Sequence, residues 1–268
     1  MYTSRPSTGK PRCDLAGHCH GFILLLDMSD APKPPRHGVA RVISKLGLGS
    51  RTQAAQWVRE GRIRVNGRRV LDPELPVRRG LDRIEIDGRE PLAATRLVLI
   101  LNKPRGLVTT AKDERARNTV YSCFAGASLP WLAPVGRLDK ASEGLLLFSN
   151  DPEWAARITD PAAGPHKTYH VQVDRVPSES LLAELQHGVL VDGERLAARS
   201  ARCLRSGRCN AWLEIVLDEG RNRQIRRLLA NFDVSVLRLV RVAVGALRLG
   251  KLPKGQWRLL TQRELDSM

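Results

Sequence analysis

At 268 residues and 42% apolar content, the chain is long enough to fold as one large domain plus a small one, and too apolar to be disordered throughout. Its formal net charge of +16, from 44 Lys and Arg against 28 Asp and Glu, is concentrated in two stretches: nine Lys or Arg face one acid, Glu60, between Arg36 and Arg69, and ten face one acid, Asp233, between Arg221 and Arg258. Arg-rich charge interleaved with apolar positions favours a polyphosphate partner over a merely solvated surface, because each neutralised phosphate releases counterions; an anionic membrane is the weaker alternative.

Residues 1–35 read as a poorly structured extension, with Pro32, Pro34 and Pro35 as a stiff spacer and Met28 as an alternative biological start. The apolar run from Phe22 to Leu26 is too short for a signal-peptide core or a membrane span, so a cytoplasmic location is expected. The five cysteines form no CxxC pair and are expected to be reduced. Cys13, His18, Cys19 and His20 match no common zinc spacing, so no metal is expected.

From Val39 the apolar positions Val39, Val42, Ile43 and Leu46 recur at helical spacing, and Gly47 suits the C-terminus of that helix. Ser50 caps a second helix that turns Ala54, Ala55 and Val58 inward and ends at Gly61. The Asn66-Gly67 pair joins strands at 63–65 and 69–71 into a hairpin, with a further strand at 83–86. Helix, helix and hairpin in about 50 residues make a thin core whose outward positions are mostly arginines, a clamp rather than a pocket.

The segment LGLGSRTQAAQWVREGRIRVNGRRV resembles the alpha-L RNA-binding module found in a primary small-subunit ribosomal protein and in several RNA-modifying enzymes. The resemblance covers residues 38–86 and implies that the second helix and the strand after it lie on structured RNA through Arg51, Arg59, Arg62 and Arg64.

Residues 87–96, with Asp87-Gly88 and Pro91, read as a linker to a second domain at 97–268. Its predicted strands are 97–101, 145–148, 167–173, 211–217, 234–244 and 257–260, with helices at 153–159, 178–186 and 222–231. Many alternating strands and few helices fit an α+β fold, a mixed and largely antiparallel sheet with flanking helices. No GxGxxG or GxxxxGK[ST] loop follows any strand, so no nucleotide cofactor is expected.

Within that domain, PVGRLDKASEGLLLFSND places Asp139 in a turn before an apolar strand, where an aspartate alone would more often cap backbone than catalyse. The segment resembles the signature of pseudouridine synthases of the RsuA/RluB-like ribosomal group. LNKPRGLVTT resembles that group's opening strand and loop, KTYHVQV its tyrosine motif and EGRNRQIRRLLA its arginine-rich motif, four motifs in order between Leu99 and Leu260. One departure is Asn150-Asp151-Pro152, where the family usually has an Asn-Asp-Gly turn.

The resemblance implies a cofactor-free isomerase of ribosomal RNA, with Asp139 the essential carboxylate, either covalent nucleophile or proton acceptor; a monomer is expected. It implies Arg226 as the ion-pair partner of Asp139 and Tyr169 as the aromatic face and hydroxyl against the base. Arg137 would fill the space a flipped nucleotide leaves, and Lys103, Lys167, Arg221, Arg223 and Arg227 would face phosphates. Read from its apolar pattern, the run 236–244 either floors the pocket through Leu239 or Val240 or packs those side chains into the core. The main rival is a non-catalytic RNA-binding or assembly protein in which Asp139 is structural. A methyltransferase or zinc deaminase would need a cofactor loop or an HxE with CxxC, and neither is in the sequence. The uridine and the ribosomal subunit are not legible, because RNA is read through shape and loops that carry no code.

Overall fold

The structure, a computed structural model, describes residues 34–268 except 93 and 112–114. The extension at 1–33, with Met28 and the Cys13, His18, Cys19, His20 group, lies outside the described residues. Arg36–Met268 forms one compact unit.

Residues 36–86 run β1 (Arg36–Gly38), α1 (Val39–Lys45), α2 (Arg51–Arg59), β2 (Ile63–Val65), β3 (Arg68–Val70), β4 (Pro76–Arg78) and β5 (Ile84–Ile86). Ser50 and Gln53 form a reciprocal capping box at the start of α2, satisfying two orphan N–H groups. The hairpin pairs Ile63 with Val70 across Asn66 and Gly67, both at positive φ as a two-residue turn requires. β5 adds to β2, giving sheet order β3-β2-β5, and the short β1 and β4 strands pair with each other. Val39, Ile43, Ala54, Val58 and Ile63 are fully buried between these elements.

The remainder is built on a nine-stranded sheet. Its strands are β6 (Val98–Lys103), β7 (Ala133–Val135), β8 (Glu143–Ser149), β9 (Lys167–Val173), β12 (Ser200–Ser206), β13 (Ala211–Leu217), β14 (Val236–Val244), β15 (Leu247–Arg248) and β16 (Trp257–Leu259), with β10 (Val189–Val191) and β11 (Glu194–Leu196) forming a separate hairpin. The path is β12-β13-β9-β14-β8-β6-β16, with β15 on β14 and β7 on β8. Among the described strands β14 and β8 pair in parallel and the other pairs are antiparallel, the mixed sheet expected from the strand pattern. The helices are α3 (Pro152–Thr159), α4 (Glu179–His187), α5 (Gln224–Ala230) and α6 (Gln262–Asp266).

Alternation along β6 and β8 sends Leu99, Leu101, Leu146 and Phe148 to one face and Val98, Ile100, Leu145 and Leu147 to the other. The first face packs under Tyr169, Leu138, Ile225 and Leu239; the second is covered by Trp154 and Ile158 of α3 and by Leu247. Both faces of the middle strands are therefore buried, which is why they read as continuous apolar runs.

The Asn150-Asp151-Pro152 departure has a local purpose. Asp151 accepts from Glu153 and Trp154 N–H at 3.0 Å as the N-cap of α3, and Pro152 occupies the first turn, where no N–H is needed. Asn150 ties the chain before β6 in place, accepting from Leu97 N–H at 2.8 Å and donating to Thr95 O at 3.0 Å. No helix among the described residues is long and apolar enough to cross a membrane.

Candidate active site

β7 ends at Val135, and residues 136–142 turn before β8 starts at Glu143. Gly136 takes φ +75, and Leu138 tucks into the core at 7% exposure, which turns its neighbours Arg137 and Asp139 outward. Thr109 locks this turn by donating to Leu138 O at 2.7 Å, and Ser142 N–H donates to Asp139 O at 3.0 Å. The turn thereby projects a half-exposed carboxylate over one face of the sheet.

That face holds a cavity of about 580 Å³ lined by Arg137, Asp139, Lys167, Tyr169, Arg221, Arg223, Arg226, Leu239 and Arg241. Strands β9 and β14 bring Tyr169 and Arg241 side by side as cross-strand partners, and the loop before α5 brings the arginine-rich motif. Six cations line the cavity against two acids, Asp139 and Glu219. A polyanion is drawn to such a cleft, and Asp139 is one of only two carboxylates in its lining.

The guanidinium at ion-pair distance from Asp139 belongs to Arg223, with Nη1 3.6 Å from Oδ2. Arg223 precedes α5 in the left-handed region at φ 48, and its side chain is half exposed. Arg226 lies on α5, donates from Nη1 to Val236 O at 3.3 Å and leaves its buried Nε without a partner. Burial lowers the Arg226 pKa, Arg223 adds to that, and Asp139 opposes it, so the carboxylate is within its electrostatic reach.

Lys103 behaves differently from the phosphate-facing residue expected from sequence. It has no exposed surface, and Nζ donates to Pro104 O, Asp139 O and Ser142 O at 3.1, 3.2 and 2.8 Å. Burial pulls its pKa down to about 8, against the Asp139 and Glu143 carboxylates, which raise it. An ammonium sealed behind the Asp139 turn cannot meet RNA; it braces the turn instead.

The other basic residues divide. Arg137 and Arg221 are exposed at the cavity, although Arg221 also pairs with Glu219 at 2.8 Å. Lys167 is half-buried on the cavity wall, its pKa lowered by burial and then by Arg241. Arg227 lies outside the cavity lining, bridging Asp192 at 3.2 Å and Glu194 at 2.6 Å of the β10–β11 hairpin, and so serves packing. In the first module Arg51, Arg59, Arg62 and Arg64 are all exposed, but Arg62 is held by Asp87 at 2.6 Å and lies over the Trp57 ring. Of the two residues named for the pocket floor, Leu239 lines the cavity.

Sequence reading passed over two residues here. Glu143 is buried at 2% exposure under paired bonds from Arg238 at 2.8 and 3.0 Å and an ion pair from Lys254 at 2.6 Å, tying β8 to β14. Arg241 is buried in the cavity wall. Its only sequence signal was a charge, one of two arginines, inside a mostly apolar strand.

The model of the RNA pseudouridylate synthase family matches residues 97–231, and that of the S4 domain matches residues 39–82. This chain belongs to the RNA pseudouridylate synthase family. It is 32% identical over 231 residues to a ribosomal large subunit pseudouridine synthase B of Bacillus subtilis, covering 85% of this chain and 93% of that one. It is 34% identical over 229 residues to an uncharacterized RNA pseudouridine synthase of Rickettsia prowazekii, covering 85% and 96%. A crystal structure of a pseudouridylate synthase superposes with a TM-score of 0.61 at 28% identity, covering 86% of this chain and 99% of that one. The chain is thus a pseudouridine synthase acting on RNA, with an S4 RNA-binding domain ahead of its catalytic domain.

Proposed function

We propose that this pseudouridine synthase isomerises a specific uridine of ribosomal RNA in the cytoplasm, as a monomer and without a cofactor, with Asp139 as the essential carboxylate. The observation that carries the reading is the placement of Asp139 in a cation-lined cavity beside Tyr169 and the arginine-rich motif. The reaction breaks the bond from the ribose carbon to N1 of uracil, turns the base and joins its carbon 5 to the same ribose carbon, which requires no redox step. Asp139 either bonds to the sugar or takes a proton from it, and both roles need it ionised.

Two guanidiniums favour that ionised form. Arg223 makes a half-exposed contact at 3.6 Å, and Arg226, less exposed and with an unpartnered Nε, is the partner that closes on Asp139 when RNA fills the cavity. Tyr169 gives the flipped uracil an aromatic face and a hydroxyl near carbon 5. Flipping costs a few kcal/mol, offset by stacking and by phosphate contacts from Arg137, Lys167, Arg221 and Arg223 at the cavity and from Arg51, Arg59 and Arg64 on the S4 domain, where Arg62 chiefly holds the fold. The linker at 87–96 separates the two functions.

The test is to incubate the protein with uridine-containing ribosomal RNA, map pseudouridine, and repeat with Asp139→Asn. Product from the parent and none from the variant, with RNA affinity retained, is the expected result. Equal activity in the variant would return Asp139 to a structural role.

A further inference from the structure

Among the six cations of the cavity Arg241 alone is buried, at 6% exposure. Its hydrogen bond runs from Nε to Leu145 O at 2.7 Å, and among the described residues no carboxylate lies within ion-pair distance of it. A guanidinium carries five N–H donors and accepts nothing. With Nε satisfied by the sheet, its remaining N–H donors open onto the cavity, where an entering group with acceptors can take them.

The nature of that visitor follows from depth. Phosphates stay on the RNA backbone at the mouth, where Arg137, Arg221 and Arg223 are exposed, whereas an extruded base goes deepest. Arg241 is the cross-strand partner of Tyr169, which puts their Cβ atoms about 5 Å apart. A pyrimidine lying against the Tyr169 ring therefore presents its edge to Arg241. The ribose carbon bonded to N1 must lie against Asp139, and the ring atom opposite N1 is carbon 4.

We propose that Arg241 donates to the O4 carbonyl of the flipped uracil and is a specificity-determining residue of this enzyme. The contact accepts uracil and rejects cytosine, whose carbon 4 bears an amino group that can only donate toward a guanidinium. A site built to bond one polar group discriminates strongly against its absence. Close approach of strands fixes the residue, because Gly144 is its parallel partner and a Cβ there would collide with the Arg241 backbone.

The inference rests on the enzymatic reading above, and its test separates the two. Once the target uridine has been mapped with the parent enzyme, a short RNA is made with uridine, 4-thiouridine or 2-thiouridine at that position, and single-turnover rates are measured for the parent and for Arg241→Gln. Sulfur is a weak acceptor, so the parent should lose about tenfold or more on 4-thiouridine and much less on 2-thiouridine. Arg241→Gln should lose roughly a hundredfold on uridine, show less than about a twofold further loss on 4-thiouridine, and keep RNA affinity within about threefold.

An undiminished 4-thio penalty in the variant would overturn the contact. So would an intact rate with weakened RNA binding and a salt slope smaller by about one, the mark of a phosphate contact. If Arg241→Gln does not fold, Arg241→Lys keeps the buried charge and runs the same comparison. A parent that forms no pseudouridine on any RNA would defeat the enzymatic reading instead.

Discussion

The Lys103 ammonium donates to the backbone carbonyls of Asp139 and Ser142, at 3.2 and 2.8 Å, so one buried charge grips the middle and the end of the turn that presents the carboxylate. Three carbonyls surround Nζ, and an ammonium has three hydrogens to give them; a neutral amine has two. With the pKa lowered to about 8, the third bond is lost within an accessible pH range. Turnover of the parent should therefore fall as pH rises through about 8, with RNA affinity little changed.

Stability should move the other way. A base whose folded pKa lies below its unfolded value of 10.5 holds fewer protons folded than unfolded between the two, so this group's contribution to stability rises from pH 8 to 10.5, by on the order of 3 kcal/mol. Thermal melts of the parent against Lys103→Met across that range should show the parent gaining relative to the variant. A constant difference would mean that Lys103 does not titrate there.

Arg223 and Arg226 should part company in kinetics. An exposed ion pair at 3.6 Å contributes little, so Arg223→Gln should lower turnover less than about tenfold and show mainly as weaker RNA binding at raised salt. Arg226 is less exposed, and its charge interacts with Asp139 where water screens less, so Arg226→Gln should cost about a hundredfold or more in turnover. A large loss for Arg223→Gln with little for Arg226→Gln would show that Arg223 alone serves the carboxylate.

How far these relationships were legible in the chain depended on whether the signal was local. β9 and β13 have the bounds their alternation predicted, Lys167–Val173 and Ala211–Leu217, because each has one face in the core and one turned out. The hairpin differs from its predicted position by one residue in its second strand, Arg68–Val70, because the turn residues Asn66 and Gly67 alone separate the strands. β12, with the sequence SARCLRS, was passed over: as an edge strand mostly exposed, it carries no apolar period. Lys103 was misread for a different reason. In sequence it is one more basic residue at a loop, and its burial follows from pairing with Gly144, 41 positions on. The Glu143–Arg238 pair joins residues 95 apart and had no sequence signature at all.

Gly144 should prove intolerant of any side chain. Its φ of +99 disfavours an L-residue, and a Cβ would sit against the Arg241 carbonyl oxygen on the neighbouring parallel strand, which cannot retreat without breaking the sheet. Gly144→Ala is expected to cost on the order of 2–4 kcal/mol and to lower the melting temperature by roughly 5–15 °C. Gly193→Ala is the control, since φ there is also positive at +78 but the space is open, and it should cost about 1 kcal/mol. Similar losses at both positions would show that the close strand approach around Arg241 is not a constraint.

The exposed arginines of the S4 domain differ in what they have left to offer RNA. Arg51 and Arg59 stand at the two ends of α2 and make no ion pair among the described residues, so their charge is available to phosphates. Arg62 donates from Nε and Nη2 to Asp87, lies 3.6 Å from Glu60 and covers the Trp57 ring, so much of its hydrogen-bonding capacity is already used within the fold. Arg51→Ala and Arg59→Ala should each weaken RNA binding, and each should reduce the slope of log affinity against log salt by about one, with turnover at saturating RNA unchanged. Arg62→Ala should change that slope less and loosen the S4 domain more, seen as a lower melting temperature. A full unit of slope lost with Arg62 would mean that RNA displaces Asp87 from its guanidinium, and the α2–β2 corner would then be a direct phosphate contact.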